Sequence, residues 1–196
     1  MKPAMFFLLF AASLLASPAR ADWKPVEKVE TYAIAGRTGP ELYAAIGEAG
    51  PLLGKGRVIA HTNFKLTWTR DYRPKGDACV LKSARPKLII TYTLPKPAEP
   101  LPASVQKNWT VFIAGLAAHE RVHGAAIAEM VRKIEAVSVG LTVTDDPACS
   151  KIRTELTRQL AQISLAQRQA SRNFDRVEFG PGGNLQKLVL AFVNGG

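Results

Sequence analysis

The chain has 196 residues, with 26 Lys and Arg against 16 Asp and Glu, and a net charge of +10. That length suits one domain with a sizeable core. The basic residues are scattered among acidic ones, with no run of them beside aromatics, so the charge reads as a solvated surface and argues against a nucleic-acid partner.

The first residues read as a targeting segment. Lys2 gives a positive start, Ala4 to Ala16 is apolar apart from Ser13, and Ala19-Arg20-Ala21 places small residues where a signal peptidase reads. Residues 1–21 are therefore expected to be a signal peptide, with residues 22–196 as one mature domain. The apolar run is short for a membrane span, and no later stretch is long and apolar enough to form one. The mature chain is expected to be soluble, secreted or periplasmic, without a stable membrane span. Loss of Lys2 and Arg20 leaves it at about +8, which favours loose attraction to anionic surfaces.

Val29 to Ala35 alternates and predicts a strand, turned by Gly36 to Gly39. Pro40 to Ala49 predicts a short helix with Leu42, Ala45, Ile46 and Ala49 on one side. Arg57 to Thr69 alternates again, with Phe64, Leu66 and Trp68 on one face. Tyr72 to Asp77 predicts a turn, and Cys79 to Thr93 a strand pair or one long bent strand. The four prolines from Pro95 to Pro102 read as a rigid linker.

From Ala103 to about Ser138 the period becomes helical. Val105, Trp109, Phe112, Leu116, His119, His123, Ala126, Met130, Ile134 and Val137 fall on one stripe. Asp145 and Asp146 before Pro147 read as the cap and first residue of a second helix, expected to run to about Asn173. A Gly-Pro-Gly-Gly loop from Gly180 and an apolar tail, Leu188 to Val193, follow. Strands first and long helices second predict an α+β fold, a small antiparallel sheet packed against two long C-terminal helices. Cys79 and Cys149 are the only cysteines, and in an exported chain they predict one disulfide.

The chemistry is carried by His119-Glu120-Arg121-Val122-His123. Histidines four apart on a helix turn both imidazoles to one side, close enough to share Zn2+. Glu120 then reaches past the metal, placed as general base for a water that the metal acidifies. The reaction class is hydrolysis of a peptide or protein substrate. A third ligand is needed, and Ala126 and Glu129 stand where the metzincin pattern has glycine and histidine. On an unbroken helix Glu129 points elsewhere and is expected to pair with Lys133. Asp175, near the end of the second helix, is the preferred third ligand. Glu155, in an arrangement that resembles the thermolysin type, and Glu178 are the alternatives. His61 is expected on the sheet surface.

The order of parts resembles the DUF922 family of predicted secreted zinc-dependent proteases. The shared features are the Tyr32 strand, Ile59-Ala60-His61-Thr62-Asn63-Phe64 with Trp68 beyond, Cys79, His119 to His123, Cys149, and Asn173-Phe174-Asp175. The resemblance implies an exported HExxH metallopeptidase across nearly the whole mature chain. Members of the family often continue from an aromatic–Asp pair to a His-Gly pair. This chain has Arg176-Val177-Glu178-Phe179-Gly180 there, without a histidine; if that histidine is a ligand in relatives, this chain has lost it, or Asp175 or Glu178 replaces it. The competing reading is an exported binding or interaction protein on a catalytically degenerate peptidase fold.

Overall fold

The computed structural model of the protein describes residues 23–195, so the expected signal peptide lies outside the described residues. Strand β1 (Val26–Ile34) leads into helix α1 (Gly39–Ala49). Thr38 caps α1 by accepting from the Glu41 amide. A small ribbon of β2 (Leu52–Leu53) and β3 (Gly56–Arg57) follows.

β4 (His61–Lys75) and β5 (Ala78–Pro97) form a long antiparallel hairpin. Its two-residue turn is Gly76-Asp77, where Gly76 takes a φ of 63° that other residues rarely adopt. Lys82 is an extra residue on β5: Asp71 pairs with Ser83, whereas Tyr72 pairs with Leu81. The bulge flips the pleat. Cys79 and Leu81 are buried before it; Ala84, Leu88, Ile90, Tyr92 and Leu94 are buried after it.

The sheet is mixed rather than purely antiparallel, in the order β1-β5-β4. β1 runs parallel to β5, pairing Val26 with Ile89 through Ile34 with Pro97. The connection between them, through α1, the ribbon and β4, supplies the length that a parallel pair needs. The proline-rich stretch is thus not all linker, since Pro95 and Pro97 lie within β5. The amide of Ala98 donates to Ile34 O. Residues 95 and 97 alternate with it, so their missing N–H groups face away from β1, beyond the last β4 pair at Thr93.

Three helices complete the fold: α2 (Ala103–Ser138), α3 (Lys151–Phe179) and α4 (Asn184–Asn194). The fold is α+β as expected, but α3 runs beyond Asn173, and the apolar tail is a fourth helix. A short strand β6 (Thr142–Val143) pairs with Cys79 and Val80. The stripe of α2 serves two clusters. Its N-terminal half, with Trp109, Phe112 and Leu116, packs with Leu42 and Ile46 of α1 and Leu185 and Phe192 of α4. The C-terminal half of α2 sets Ile127 and Val131, beside the stripe residues Met130 and Ile134, on Leu88, Ile90 and Tyr92 of β5, while Val137 at the end of the stripe is exposed. Burial of each such side chain contributes roughly 1.5–3 kcal/mol. His119 to His123 fall between the two clusters.

Cys79 and Cys149 are joined, with Cα atoms 5.2 Å apart, and tie the start of β5 to the start of α3. Leu81, Ala84, Ile152 and Leu156 pack around the bond. Pro147 is not the first residue of α3, because Cys149 turns the chain with a φ of 56° and helix begins only at Lys151. Asp146 still caps it: its carboxylate accepts from the amides of Ser150, Lys151 and Ile152. Among the described residues no helix is long and apolar enough to cross a membrane.

Candidate metal centre

His119 and His123 occupy successive turns of α2, and α3 brings Asp175 against them. Three atoms converge. His123 Nε2 lies 3.1 Å from His119 Nε2 and 2.8 Å from Asp175 Oδ1, and His119 Nε2 lies 3.2 Å from the same oxygen. Ligand atoms about 2.0 Å from a tetrahedral zinc stand about 3.3 Å apart, so these three atoms outline one face of such a site. Two imidazoles and one carboxylate suit zinc and leave a coordination position free for water or substrate.

The electrostatics favour a cation at that point. The hydrogen bond with Asp175 raises the pKa of His123 against the opposing effect of burial. Burial would raise the Asp175 pKa, but hydrogen bonds from His119 and His123 outweigh it and hold the carboxyl well below its usual range.

The rest of each ring is held by the surroundings. His123 Nδ1 is 3.3 Å from Ser171 Oγ, which also accepts from Gln167 Nε2. A neutral His123 that donates Nδ1–H to Ser171 presents its Nε2 lone pair to the shared point. Phe174 stacks on His119 at 4.8 Å, and Phe179 meets its edge. His119 Nδ1 is buried without a hydrogen-bond partner, and the nearest carboxylate oxygen is Glu178 Oε2 at 3.8 Å. Glu178 is fixed by Asn184, whose amide donates to Oε1.

Glu120 is buried, 5% exposed, and lines the same cleft as the histidines and Asp175. Thr62 Oγ1 of β4 lies 2.6 Å from Glu120 Oε2 and 3.0 Å from the Glu120 carbonyl, linking the strand to the helix at the site. The cleft, about 550 Å³, has an apolar wall that includes Leu53, Val58 and Phe64.

The candidate residues separate by place. Asp175 joins the two histidines. Glu178 meets His119 at Nδ1, the ring nitrogen turned away from the shared point, and so stands behind the ligand set. Glu155 is not at the site: it pairs with Arg158 and Gln159, twenty residues and about 30 Å along α3 from Asp175. Glu129 pairs with Arg132 rather than Lys133. His61 is on the cleft wall rather than only on the sheet surface. Thr62 and Ser171 are site residues that the motif does not reveal. Ser171 has a signal in retrospect, since it stands one helical turn before Asp175 on the same face.

An α+β protein with a His–His–Asp cluster facing a cleft is the class defined by this geometry. The chain belongs to the DUF922 family, described as a bacterial protein of unknown function, whose family model matches residues 29–183. The match includes His119, Glu120, His123, both cysteines and Asp175. No curated protein and no solved structure matches the chain.

Proposed function

We propose that this protein is an exported zinc-dependent peptidase. The observation that carries the reading is the convergence of His119 Nε2, His123 Nε2 and Asp175 Oδ1, with Glu120 on the same cleft. His119, His123 and Asp175 would hold the ion, and zinc there would supply a Lewis acid that makes water acidic and the scissile carbonyl electrophilic.

The other parts of the step belong to this chain. Glu120 takes a proton from the attacking water, whose oxygen bonds to the carbonyl carbon. Glu120 then returns that proton to the departing nitrogen as the C–N bond breaks, giving a carboxylate and an amine. Thr62 keeps the Glu120 carboxylate oriented through its hydroxyl. Phe174 and Phe179 limit water around His119. The apolar wall of the cleft, with Leu53, Val58 and Phe64, suits side chains flanking the bond. Export is supported by the disulfide, which fits an oxidising compartment.

The test is zinc stoichiometry and peptide cleavage for the wild type, Glu120→Gln and His119→Ala. The peptidase reading expects about one zinc per chain and cleavage that Glu120→Gln abolishes while zinc stays bound. His119→Ala is expected to lose both. Absence of zinc in wild-type protein supplied with the metal would sink the reading. Zinc without cleavage would leave a metal-holding binding protein.

A further inference from the structure

The cleft continues along α3 beyond the histidines, and there its lining is cationic. Arg168 and Arg172, one turn apart, border the same cavity as His119, His123 and Asp175. Neighbouring arginines show how α3 ordinarily occupies a guanidinium. Arg158 is bound by Glu155, Arg172 by Gln169 and Arg176 by Asn173, each three residues back. Arg168 has Leu165 in that position and Ser164 one residue further back, with Arg172 four residues ahead. Among the described residues Arg168 makes no ion pair.

Like charges four apart weaken a helix, so helix stability does not explain the pair. Nor does the cleft neutralise it. The acidic residues on the lining are Glu120 and Asp175, and both are engaged, by Thr62 and by the histidines. A forked cation without a partner, on the wall of a cleft, is suited to bidentate binding of a carboxylate.

We infer that Arg168, supported by Arg172, is a subsite for a substrate carboxylate, so that the cleft selects acidic peptide segments. The inference rests on the peptidase reading for the position of the bond to be cut. Seven residues of helix separate Arg168 from Asp175, about 10 Å along the axis. An extended peptide covers that distance in about three residues. The carboxylate read by Arg168 therefore lies about two to four residues from the scissile bond. It belongs either to an Asp or Glu side chain or to the C-terminus of the substrate.

The experiment uses the full mature chain carrying Glu120→Gln, so that bound peptide is not consumed, with and without supplied zinc. Binding of matched fluorescent peptides is read by anisotropy. One has a single Glu, moved through successive positions, and an amidated end; one has Gln there and a free C-terminal carboxylate; one has Gln and an amidated end. An acidic peptide is expected to bind about tenfold or more tightly than the neutral one, an advantage that shrinks with added salt. Tighter binding of the Glu peptide identifies a side chain as the source, and tighter binding of the free-ended peptide identifies a C-terminus.

Arg168→Gln is expected to erase the difference while leaving zinc content and thermal midpoint unchanged. Arg168→Glu is expected to reverse it toward a Lys-containing peptide. Equal binding of all three peptides, no binding of any, or equal weakening of all three by Arg168→Gln would overturn the subsite. Charge-selective binding without zinc uptake would defeat the peptidase reading and leave the subsite standing. Zinc uptake and wild-type cleavage with charge-blind binding would do the reverse.

Discussion

His123 Nε2 and Asp175 Oδ1 lie 2.8 Å apart although 52 residues separate them in the chain. α2 supplies one partner and α3 the other, so the contact exists only when the helices are packed. Because His119 shares the same carboxylate oxygen, Asp175 joins two single-helix donors into a three-atom site.

Asp175→Asn is expected to lower zinc affinity by about a hundredfold or more, whereas Glu178→Gln should cost about tenfold, the range of residues that only orient a ligand. Competition with a chromophoric chelator measures both. The opposite ranking would show that Glu178 binds the metal and that Asp175 does not.

Thr62 tests the positioning of Glu120. Thr62→Val deletes the hydroxyl within 2.6 Å of the buried carboxylate while keeping the side chain's shape. Loss of a bond to a charged group of this kind costs about 1.5–3 kcal/mol. The expected result is unchanged zinc content, a lowered kcat and little change in KM, with recovery in Thr62→Ser. Loss of zinc alongside activity would instead give Thr62 a general structural role.

Gly124, the residue after His123, faces Tyr92 of the sheet. A Cβ there would meet the hydroxyl oxygen of Tyr92 on β5. Gly124→Ala is expected to destabilise the protein by about 1–3 kcal/mol through overpacking, measured by urea unfolding. Tyr92→Phe in the same chain should recover part of this loss, since it removes the atom nearest the new methyl group. A neutral Gly124→Ala would mean that the helix shifts freely on the sheet.

Asp146 predicts an acid limb in the stability curve. Burial alone would raise its pKa, but hydrogen bonds from the Ile152, Lys151 and Ser150 amides outweigh that and lower it. A carboxylate whose pKa is depressed by folding stabilises the fold at pH values above its unfolded pKa. That contribution is lost as pH falls from about 4 through the lower folded value. Asp146→Ala should lower the Tm at neutral pH and flatten this acid limb, as seen in thermal melts across pH. Parallel curves for the variant and the wild type would refute the linkage.

Much of the fold was legible because it depends on local periods. The α2 stripe predicted the buried Val105, Trp109, Phe112, Leu116, His119, Met130 and Ile134, but Val137 at its end is exposed and the buried Ile127 and Val131 lie off it. The alternation of Leu88, Ile90 and Tyr92 predicted one sheet face. The cysteine count predicted the disulfide. The parallel placement of β1 was not legible, because strand direction in a sheet depends on the path of the connection rather than on side-chain alternation. The Lys82 bulge was hidden for a related reason. A change of phase in the pattern is visible only once the partner strand supplies the register. Pro95 and Pro97 argued for a linker, yet their missing amides fall on an edge where no strand needs them.

The sequence by itself determined that His119 and His123 share one face of a helix with Glu120 between them, because helical spacing is a property of the local backbone. It also offered three acids as the third partner, Glu155 on the following helix, Asp175 near its expected end and Glu178 beyond it. Only the tertiary structure separated those acids. Asp175 meets the two Nε2 atoms, Glu178 stands behind the other nitrogen of His119, and Glu155 is turned to Arg158 far along the helix. The physical reason is that a carboxylate's reach is a few ångströms, whereas its position relative to α2 is set by how two long helices, a disulfide and a sheet pack together.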